Sequence, residues 1–421
     1  MRFGLIGNPL GHSHSPYLQN LFGADGYELR PLAESELGAF MRERDFEGIN
    51  VTIPYKRSVI PYLDAVDASA EMCGAVNTVV NRGGVLTGYN TDLYGMDFAM
   101  RAASVELRGK KVAVLGSGGT AHTACALAHL RGAARVTVVS RNGAHNYGNL
   151  GDIADTQTVI NATPVGMYPH IAASPVDLND FPAAEGVFDA VFNPLRTRLT
   201  QQADDARLKY GSGLLMLAAQ AEIAAHLFTE GFFAPDITPE RAEKITEAKR
   251  SLETSLSNVV LCGMPSSGKS TVGRLLAERL GKAFVDTDEE IERKTGRSIP
   301  EIFAEGGEAA FRAAERETVA ECGMRQGAVI ATGGGAPLDP ENRKNLKANG
   351  VVFWLQRDLS ALSTEGRPLS VNAENLRKMY EVRRPVYAAF ADAEADNNGT
   401  PQDTAAYIAE EFYESTGHQR S

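Results

Sequence analysis

Short apolar runs alternate with longer, mixed stretches along the whole chain. Strand-like runs occur at FGLIG, GINVTIP, AVNTVV and VLTGYN, then at KVAVLG, RVTVVSR, TVINATP and VFDAVFNP. Apolar runs of this length, bounded by Gly, Pro or Asn, predict buried strands, and the stretches between them predict helices. Because the two types alternate, the pattern predicts layered α/β domains.

Two helical segments divide the chain. The run LLMLAAQAEIAAHLF, Leu214 to Phe228, is apolar over much of its surface, which predicts a helix packed between other elements. The segment that begins at Thr238 is rich in charge, with Thr238 as a candidate N-cap and Pro239 at the first helical position. We therefore expect a helical connector over residues 236–257.

The chain of 421 residues is long enough for roughly two to three domains. The pattern predicts an α/β domain over residues 1–95, completed by helices at about 214–235, and a Rossmann-type domain over 96–213. A third α/β domain is expected over 258–421.

Composition narrows the class of function. With 42 basic and 53 acidic side chains, the net charge of −11 disfavours nucleic acid as a partner. The four cysteines, at positions 73, 125, 262 and 322, form no CxxC pair, so neither a zinc site nor a disulfide framework is predicted. We expect a reducing, cytoplasmic setting without membrane attachment, since no apolar run approaches the roughly 20 residues that span a bilayer.

A glycine turn follows the strand-like run KVAVLG. Gly116, Gly118 and Gly119 permit a tight turn, and the amides at the start of the next helix can hold a pyrophosphate. At the end of the following strand, Ser140 and Arg141 stand where an NAD site usually has an acidic residue. A cation there favours NADP(H), although Arg141 as a solvated strand-end charge stays an alternative.

A second nucleotide motif, GMPSSGKST, occupies Gly263 to Thr271 after the apolar run Val259 to Leu261. This is the P-loop pattern in its required context, between a strand and a helix. Its backbone amides would cradle phosphate, Lys269 would neutralise the β and γ oxygens of ATP, and Ser270 would reach Mg²⁺.

Residues 1 to about 235 resemble shikimate dehydrogenase through GNPLGHSHSP, NVTIPYK, GAVNT, GYNTD, GSGGTA, NATPVGM, FNPLRT and MLAAQA, in that order. The resemblance implies NADPH-dependent reduction of 3-dehydroshikimate, with Lys56 as the acid-base group and Asp92 as its partner. It implies substrate contacts from Ser13, Ser15, Thr52, Asn77 and Gln220. The NADP(H)-binding residues expected are Gly116, Ser117, Gly118, Gly119, Thr120, Ala121, Ser140, Arg141, Thr163 and Met216.

Three features depart from that family or invite another interpretation. Phe192 stands where the family often has Tyr, so one hydroxyl ligand to the substrate carboxylate is missing. After Arg141 a short glycine-rich stretch replaces the family's usual second arginine and full helix, which predicts a partly rebuilt adenosine pocket. His12 and His14 alternate in one loop, but without a third ligand nearby they predict no metal site.

Residues 258 to about 415 resemble shikimate kinase through FVDTD, GEAAFRAAE, ATGGGAP, GRPLS and RRPVY. The resemblance implies that Arg312 and Arg383 clamp the shikimate carboxylate, that Asp288 contacts the attacking hydroxyl, and that Arg367 belongs to a short lid. The other positions implied are Gly333, Gly334 and Gly335 for substrate, Gly263, Gly268, Lys269, Ser270 and Thr271 for ATP, and Ser270 with Asp286, through water, for Mg²⁺.

We interpret the chain as a bifunctional enzyme of aromatic biosynthesis in which shikimate is the product of the first half and the substrate of the second. A quinate-type dehydrogenase fused to another small-acid kinase is an alternative. A regulator with dead sites is another, although the intact Lys56, Asp92, Lys269, Ser270 and Asp288 argue against it.

Overall fold

A computed structural model describes residues 1–11, 13–362 and 373–417. The chain divides into two compact units. Unit 1 contains Met1–Met167, Ala173–Asn193 and Leu199–Lys249, and unit 2 contains Tyr168–Ala172, Pro194–Arg198 and Arg250–Ser421. In the described part of the chain, none of the helices has the length and apolar character needed to cross a membrane.

Unit 1 begins with a mixed sheet of six strands. They are β1 (Phe3–Gly7), β2 (Tyr27–Pro31), β3 (Gly48–Val51), β4 (Ala65–Val66), β5 (Thr78–Arg82) and β6 (Val85–Tyr89), in the order β2-β1-β3-β5-β6-β4. Strand β5 pairs antiparallel with both β3 and β6, and the other pairs are parallel. The helices of this layer are α1 (Ser15–Leu21), α2 (Glu34–Glu43) and α3 (Ala68–Cys73).

The second sheet of unit 1 is fully parallel. Its strands are β7 (Lys111–Leu115), β8 (Arg135–Val139), β9 (Thr158–Asn161), β10 (Gly186–Asp189) and β11 (Lys209–Ser212), in the order β11-β10-β9-β7-β8. The helices that follow along the chain are α4 (Thr91–Ala102), α5 (Gly119–Leu130), α6 (Arg198–Asp205) and α7 (Gly213–Glu230). Helix α7 also packs on the first sheet, where the Phe228 ring stacks on Phe3 of β1. Alternate residues of β7 enter two separate apolar clusters, because helices or loops cover both faces of a parallel sheet.

Helix α8 (Pro239–Leu256) occupies the segment for which a connector is predicted, and the boundary between the units falls inside it. Near its start, Arg241 makes a two-point ion pair with Glu222 of α7, at 2.7 Å for each contact. Near its end, the carbonyls of Thr254 and Ser255 accept hydrogen bonds from Lys282 at 2.9 and 3.2 Å. Each end of α8 is therefore bound into one unit.

Unit 2 contains a third sheet, also fully parallel. Its strands are β12 (Asn258–Cys262), β13 (Ala283–Asp286), β14 (Ala328–Ala331), β15 (Gly350–Gln356) and β16 (Ala393–Asp396), in the order β13-β14-β12-β15-β16. Its remaining helices are α9 (Lys269–Leu280), α10 (Thr287–Thr295), α11 (Ile299–Met324), α12 (Pro340–Lys347), α13 (Ala373–Phe390) and α14 (Pro401–Ser415). Helix α11 is broken at Gly307, where φ is +66°.

Both faces of the third sheet are apolar. Val260 and Trp354 enter the cluster on one face, and Val259 and Phe353 enter the cluster on the other. This alternation explains why the strands are continuous apolar runs in the sequence. The prediction of an N-terminal α/β domain, a Rossmann-type sheet and a P-loop α/β domain is confirmed.

Candidate active sites

Lys56 and Asp92 form an ion pair in unit 1. Lys56 lies in the turn after β3, where its carbonyl accepts a hydrogen bond from the Val76 amide at 2.8 Å. Asp92 lies in the first turn of α4, which Asn90 caps by accepting from the Leu93 amide at 3.1 Å. The lysine Nζ donates to Asp92 Oδ2 at 2.5 Å, and the two side chains are 20% and 13% exposed. The pair is thus held by two fixed backbone segments and shielded from bulk water.

The Lys56 side chain also approaches the dinucleotide turn. A methyl group placed on Gly119, the first residue of α5, would lie 3.7 Å from the Cδ atom of Lys56. The start of α5 is where backbone amides are free to bind a pyrophosphate. A cofactor held there would therefore lie beside the predicted acid-base group.

Asn77 is buried in a polar network at the start of α4. Its Oδ1 accepts hydrogen bonds from the Thr91 amide at 2.7 Å and from the Thr78 hydroxyl at 3.1 Å. Its Nδ2 donates to the Thr91 hydroxyl at 2.9 Å. The network fixes which end of the amide faces each neighbour. Sequence reasoning missed Thr91, although it lies inside the GYNTD string beside Asp92.

Ser13 and Ser15 lie at the start of α1, half-buried, and the Ser15 amide donates to the Ser13 hydroxyl at 3.2 Å. The ring of His14, between them, meets the Phe192 ring edge-on with centroids 6.1 Å apart. The structure therefore brings the residue that replaces the family tyrosine next to the serine loop. His12 lies outside the described residues.

Thr52 and Gln220 complete the predicted substrate set. Thr52 follows β3, and its amide donates to the Ile6 carbonyl at 2.9 Å. Gln220 lies on α7, which crosses α4 so closely that a methyl group on Gly95 would be 2.9 Å from the Gln220 backbone nitrogen. This close crossing fixes Gln220 relative to the helix that carries Asp92.

The predicted dinucleotide turn has the conformation that its glycines allow. Gly116 has φ of +116°, and a side chain there would meet the Ala162 carbonyl oxygen at 3.0 Å. Gly118 is the N-cap of α5, and a methyl group on it would meet no protein atom within 4 Å. The turn therefore leaves open space on its outer side for a ligand. Ser117, Thr120 and Ala121 belong to the same turn and helix start.

Thr163 and Met216 lie near this turn in different surroundings. Thr163 donates to Asn161 Oδ1 at 2.7 Å, and the buried Asn161 Nδ2 donates to Asp189 Oδ1 at 2.9 Å. A methyl group on Gly116 would lie 3.1 Å from Thr163 Cγ2. Met216 is buried in the core cluster that contains β7, α4 and α5.

The segment after β8 turns sharply. The Gly143 amide donates to the Ser140 carbonyl at 3.2 Å, and the Ser140 amide donates to the His145 carbonyl at 3.1 Å. Arg141 is exposed at the tip of this turn. Burial raises the pKa of Tyr147, and the charge of Arg141 opposes that shift. A single helical turn, Leu150–Ile153, stands where a full helix is typical.

The P-loop of unit 2 surrounds Lys269. Gly268 has φ of +95°, which favours glycine, and a side chain there would lie 2.4 Å from Asn397 Nδ2. Lys269 is 8% exposed, and its Nζ donates to the carbonyls of Gly263 at 3.0 Å and Met264 at 2.9 Å. The Ser270 hydroxyl donates to Asp286 Oδ2 at 2.6 Å.

A cavity of about 320 Å³, the nucleotide cavity, opens above this loop. Its walls are formed by Ser266, Gly268, Lys269, Ser270, Thr271, Asp286, Asp288, Thr332, Gly334 and Arg357. The structure thus gathers the predicted phosphate-binding, magnesium and acid-base residues around one space. Arg357 was missed, because it lies outside every motif. Among the described residues, no group of three or more His, Cys, Asp or Glu side chains is arranged to hold a metal ion.

The predicted acceptor residues converge next to this cavity. A methyl group on Gly333 would lie 2.7 Å from Asp288 Oδ1 and 3.2 Å from Glu315 Oε1. Glu315 is 2% exposed, and its Oε2 accepts from Arg312 at 2.7 Å. Burial raises the pKa of the Glu315 carboxyl, and the charge of Arg312 partly opposes that shift. Sequence reasoning assigned no role to Glu315, which is the last residue of the GEAAFRAAE string.

Backbone also lies directly against Arg312. A methyl group on Gly335 would lie 2.5 Å from Arg312 Nη1. Arg383 is buried. Burial raises the pKa of Glu315 and raises that of Tyr387 to about 12, and the charge of Arg383 opposes both shifts. The Tyr387 hydroxyl donates to the Gly334 carbonyl at 2.5 Å. The glycine run is therefore held against Arg312 and Tyr387. Arg367 lies outside the described residues.

Known proteins match both halves. Residues 5–79 match the family model described as the shikimate dehydrogenase substrate binding domain. A shikimate dehydrogenase (NADP(+)) of Caldanaerobacter subterraneus subsp. tengcongensis is 33% identical over 266 residues, which are 57% of this chain and 95% of that protein. The chain belongs to the shikimate dehydrogenase family. A second part of the chain, residues 265–414, matches the family model described as shikimate kinase.

Solved structures agree for the dehydrogenase part. The chorismate mutase/shikimate 5-dehydrogenase fusion protein of Clostridium acetobutylicum is 30% identical, with a TM-score of 0.54 over 60% of this chain and 96% of that one. The shikimate 5-dehydrogenase of Thermus thermophilus, solved with NADP(H) and shikimate, is 31% identical. Its TM-score is 0.52, and the match covers 60% of this chain and 99% of that one. The prediction of a shikimate dehydrogenase fused to a shikimate kinase is confirmed.

Proposed function

We propose that this bifunctional enzyme reduces 3-dehydroshikimate to shikimate with NADPH and then phosphorylates shikimate with ATP. The observation that carries the first reaction is the shielded Lys56–Asp92 pair beside the start of α5. The nucleotide cavity carries the second, because Lys269, Ser270 and Asp288 line one space next to the Arg312 and Glu315 cluster.

Reduction needs a hydride and a proton at the same carbonyl group, and bound NADPH supplies the hydride. The Lys56 ammonium donates the proton to the oxygen that gains charge, and Asp92 holds that ammonium in place through the 2.5 Å contact. The Asn77 amide and Thr52 bind hydroxyl groups of the substrate. The hydroxyls of Ser13 and Ser15 bind its carboxylate, next to the Phe192 ring.

The residues around the glycine turn fit a dinucleotide, because the outer side of Gly118 is open and the α5 amides begin there. Gly116 to Ala121 and Thr163 would hold the pyrophosphate and its surroundings. Ser140 and Arg141 would contact the 2′-phosphate, since a guanidinium binds phosphate through two parallel hydrogen bonds. This arrangement favours NADP(H) over NAD(H).

Phosphorylation joins a shikimate hydroxyl to the γ-phosphorus of ATP and releases ADP. Asp288 accepts the proton of that hydroxyl, whose oxygen lies beside the Gly333 backbone. Arg312 and Arg383 bind the substrate carboxylate, and Lys269 and the P-loop amides neutralise the phosphates. The resemblance to shikimate kinase assigns the same role at the transferred phosphate to Arg367, which lies outside the described residues.

The residues present also fit Mg²⁺, because Ser270 and Asp286 place a hydroxyl and a carboxylate oxygen together at the wall of the cavity. Magnesium prefers such oxygen ligands, and it usually keeps several waters and phosphate oxygens in addition. Ser270 would bind the ion directly and Asp286 through water. Bound Mg²⁺ would neutralise charge on the phosphates.

A coupled assay tests the proposal by following NADPH loss and ADP formation from 3-dehydroshikimate. Lys56→Ala should reduce the dehydrogenase rate by about 10²-fold or more and leave phosphorylation of added shikimate intact. Lys269→Ala should reduce the rate of shikimate phosphorylation and leave the dehydrogenase rate intact. Quinate and gluconate serve as alternative substrates, and a preference for either would contradict the assignment. A wild-type protein without either activity would support a regulatory role instead.

A further inference from the structure

Arg357 is an arginine in the wall of the nucleotide cavity that no motif accounts for. It follows β15 directly and is exposed. Its Nη1 lies 3.8 Å from the position that a methyl group on Gly268 would occupy. The guanidinium therefore stands beside the P-loop backbone where α9 begins.

The backbone on both sides of Arg357 is fixed. The Gln356 carbonyl accepts a hydrogen bond from the Asn397 amide at 2.8 Å, and the Asp358 amide donates to Asn398 Oδ1 at 2.9 Å. Asn397 also donates from Nδ2 to the Ser267 carbonyl of the P-loop at 2.7 Å. The position of Arg357 relative to the P-loop is thus set by three hydrogen bonds rather than by its own side chain.

The charges around Arg357 favour the binding of an anion. Within the described residues, no carboxylate lies at ion-pair distance from its guanidinium. Its neighbours are the positive start of α9 and the P-loop, which also holds the ammonium group of Lys269. The carboxylates of Asp286 and Asp288 line the same space, but they lie at the end of β13, on the other side of the P-loop. On the β15 side, the guanidinium and the helix N-terminus therefore attract a ligand of negative charge.

Strand order decides which part of a triphosphate lies there. In the order β13-β14-β12-β15-β16, the acceptor residues Asp288 and Gly333 follow β13 and β14. The P-loop follows the central β12, and Arg357 follows β15 on the opposite side. Neighbouring strands are about 4.8 Å apart, so β13 and β15 are separated by roughly 14 Å. The transferred phosphate belongs on the acceptor side and the remaining phosphates on the side of β15.

We propose that Arg357 binds the non-transferred phosphates of ATP and ADP. This inference rests on the proposed kinase function and adds a nucleotide-binding residue to it. A guanidinium at this place sets the affinity for the nucleotide, and it stabilises ground state and transition state equally. Its removal is therefore expected to change the KM for ATP rather than kcat.

The test compares Arg357→Ala with a matched control, Arg279→Ala. Arg279 is an exposed arginine in the last turn of α9, about 15 Å along the helix from Lys269. Arg357→Ala should raise the KM for ATP roughly 10- to 100-fold, as expected for loss of a charged hydrogen bond. The kcat and the KM for shikimate should stay within about threefold. Arg279→Ala should have the same KM for ATP as the wild type. The KM for ATP of Arg357→Lys should lie between those of the wild type and Arg357→Ala.

Binding measurements separate the phosphates from the base without any turnover. Titration calorimetry with MgADP should show the same loss of affinity in Arg357→Ala, and inhibition by magnesium tripolyphosphate should weaken in parallel. Unchanged tripolyphosphate inhibition with weaker ATP binding would assign Arg357 to the nucleoside and overturn the proposal. A collapse of kcat would overturn it too, because it would place Arg357 at the transferred phosphate. An inactive wild-type kinase would instead contradict the proposed function itself.

Discussion

Gly335→Ala should weaken shikimate binding by the kinase without unfolding it. Gly335 has φ of −95° and ψ of −16°, a conformation that alanine adopts freely. The new methyl group would nevertheless lie 2.5 Å from Arg312 Nη1. Because that atom is the far end of a flexible side chain, the guanidinium moves and the backbone does not. The substitution therefore displaces one arm of the carboxylate clamp.

The magnitude follows from the contacts of Arg312. Its side chain is 26% exposed and is held by Glu315 at 2.7 Å and by Glu308 at 3.1 Å. A charge-assisted hydrogen bond to a shielded carboxylate contributes about 1.5–3 kcal/mol. Loss of its alignment should raise the KM for shikimate about 10- to 150-fold. The KM for ATP and the dehydrogenase activity of the same molecule should not change.

Steady-state kinetics of ADP release, at varied shikimate and saturating ATP, measures the effect. A double-mutant cycle with Arg312→Ala identifies its cause, since Gly335→Ala should add little once the guanidinium is gone. The midpoint of the thermal unfolding transition of the kinase part checks that its fold is intact. An unchanged KM for shikimate, or full additivity of the two substitutions, would refute the reasoning.

Four further outcomes are expected. Gly118→Ala should raise the KM for NADPH at least tenfold and leave thermal stability unchanged. The new methyl group meets open space in the protein, so it would obstruct only a bound pyrophosphate. Equal KM values for NADPH in the variant and the wild type would contradict this. Phe192→Tyr should lower the KM for 3-dehydroshikimate by about 3- to 10-fold, as measured by NADPH oxidation. A fragment 1–235 lacks Arg241 and leaves Glu222 buried without its partner, so denaturant unfolding should find it about 3–5 kcal/mol less stable than 1–257. Burial raises the pKa of Cys262 to about 12, so iodoacetamide at pH 8 should label this thiol only after unfolding, as read by mass spectrometry.

The sequence by itself determined the layered α/β architecture and the two nucleotide motifs. Strands such as KVAVLG and Val259 to Cys262 are continuous apolar runs because helices cover both faces of their sheets. The turns at Gly116 and Gly268 can be predicted from the sequence, because only glycine tolerates their backbone angles and close contacts. These features depend on residues that are neighbours in the chain.

Only the tertiary structure decided which charges act together. Lys56 and Asp92 are 36 residues apart, and their 2.5 Å contact depends on the packing of the β3 turn against α4. Helical spacing places Arg312 and Glu315 in one ion cluster, but it cannot show that Glu315 is buried beneath Gly333. Arg357 has no motif, and its place beside the P-loop follows from strand order. Burial and strand order are properties of the whole fold, so no local spacing predicts them.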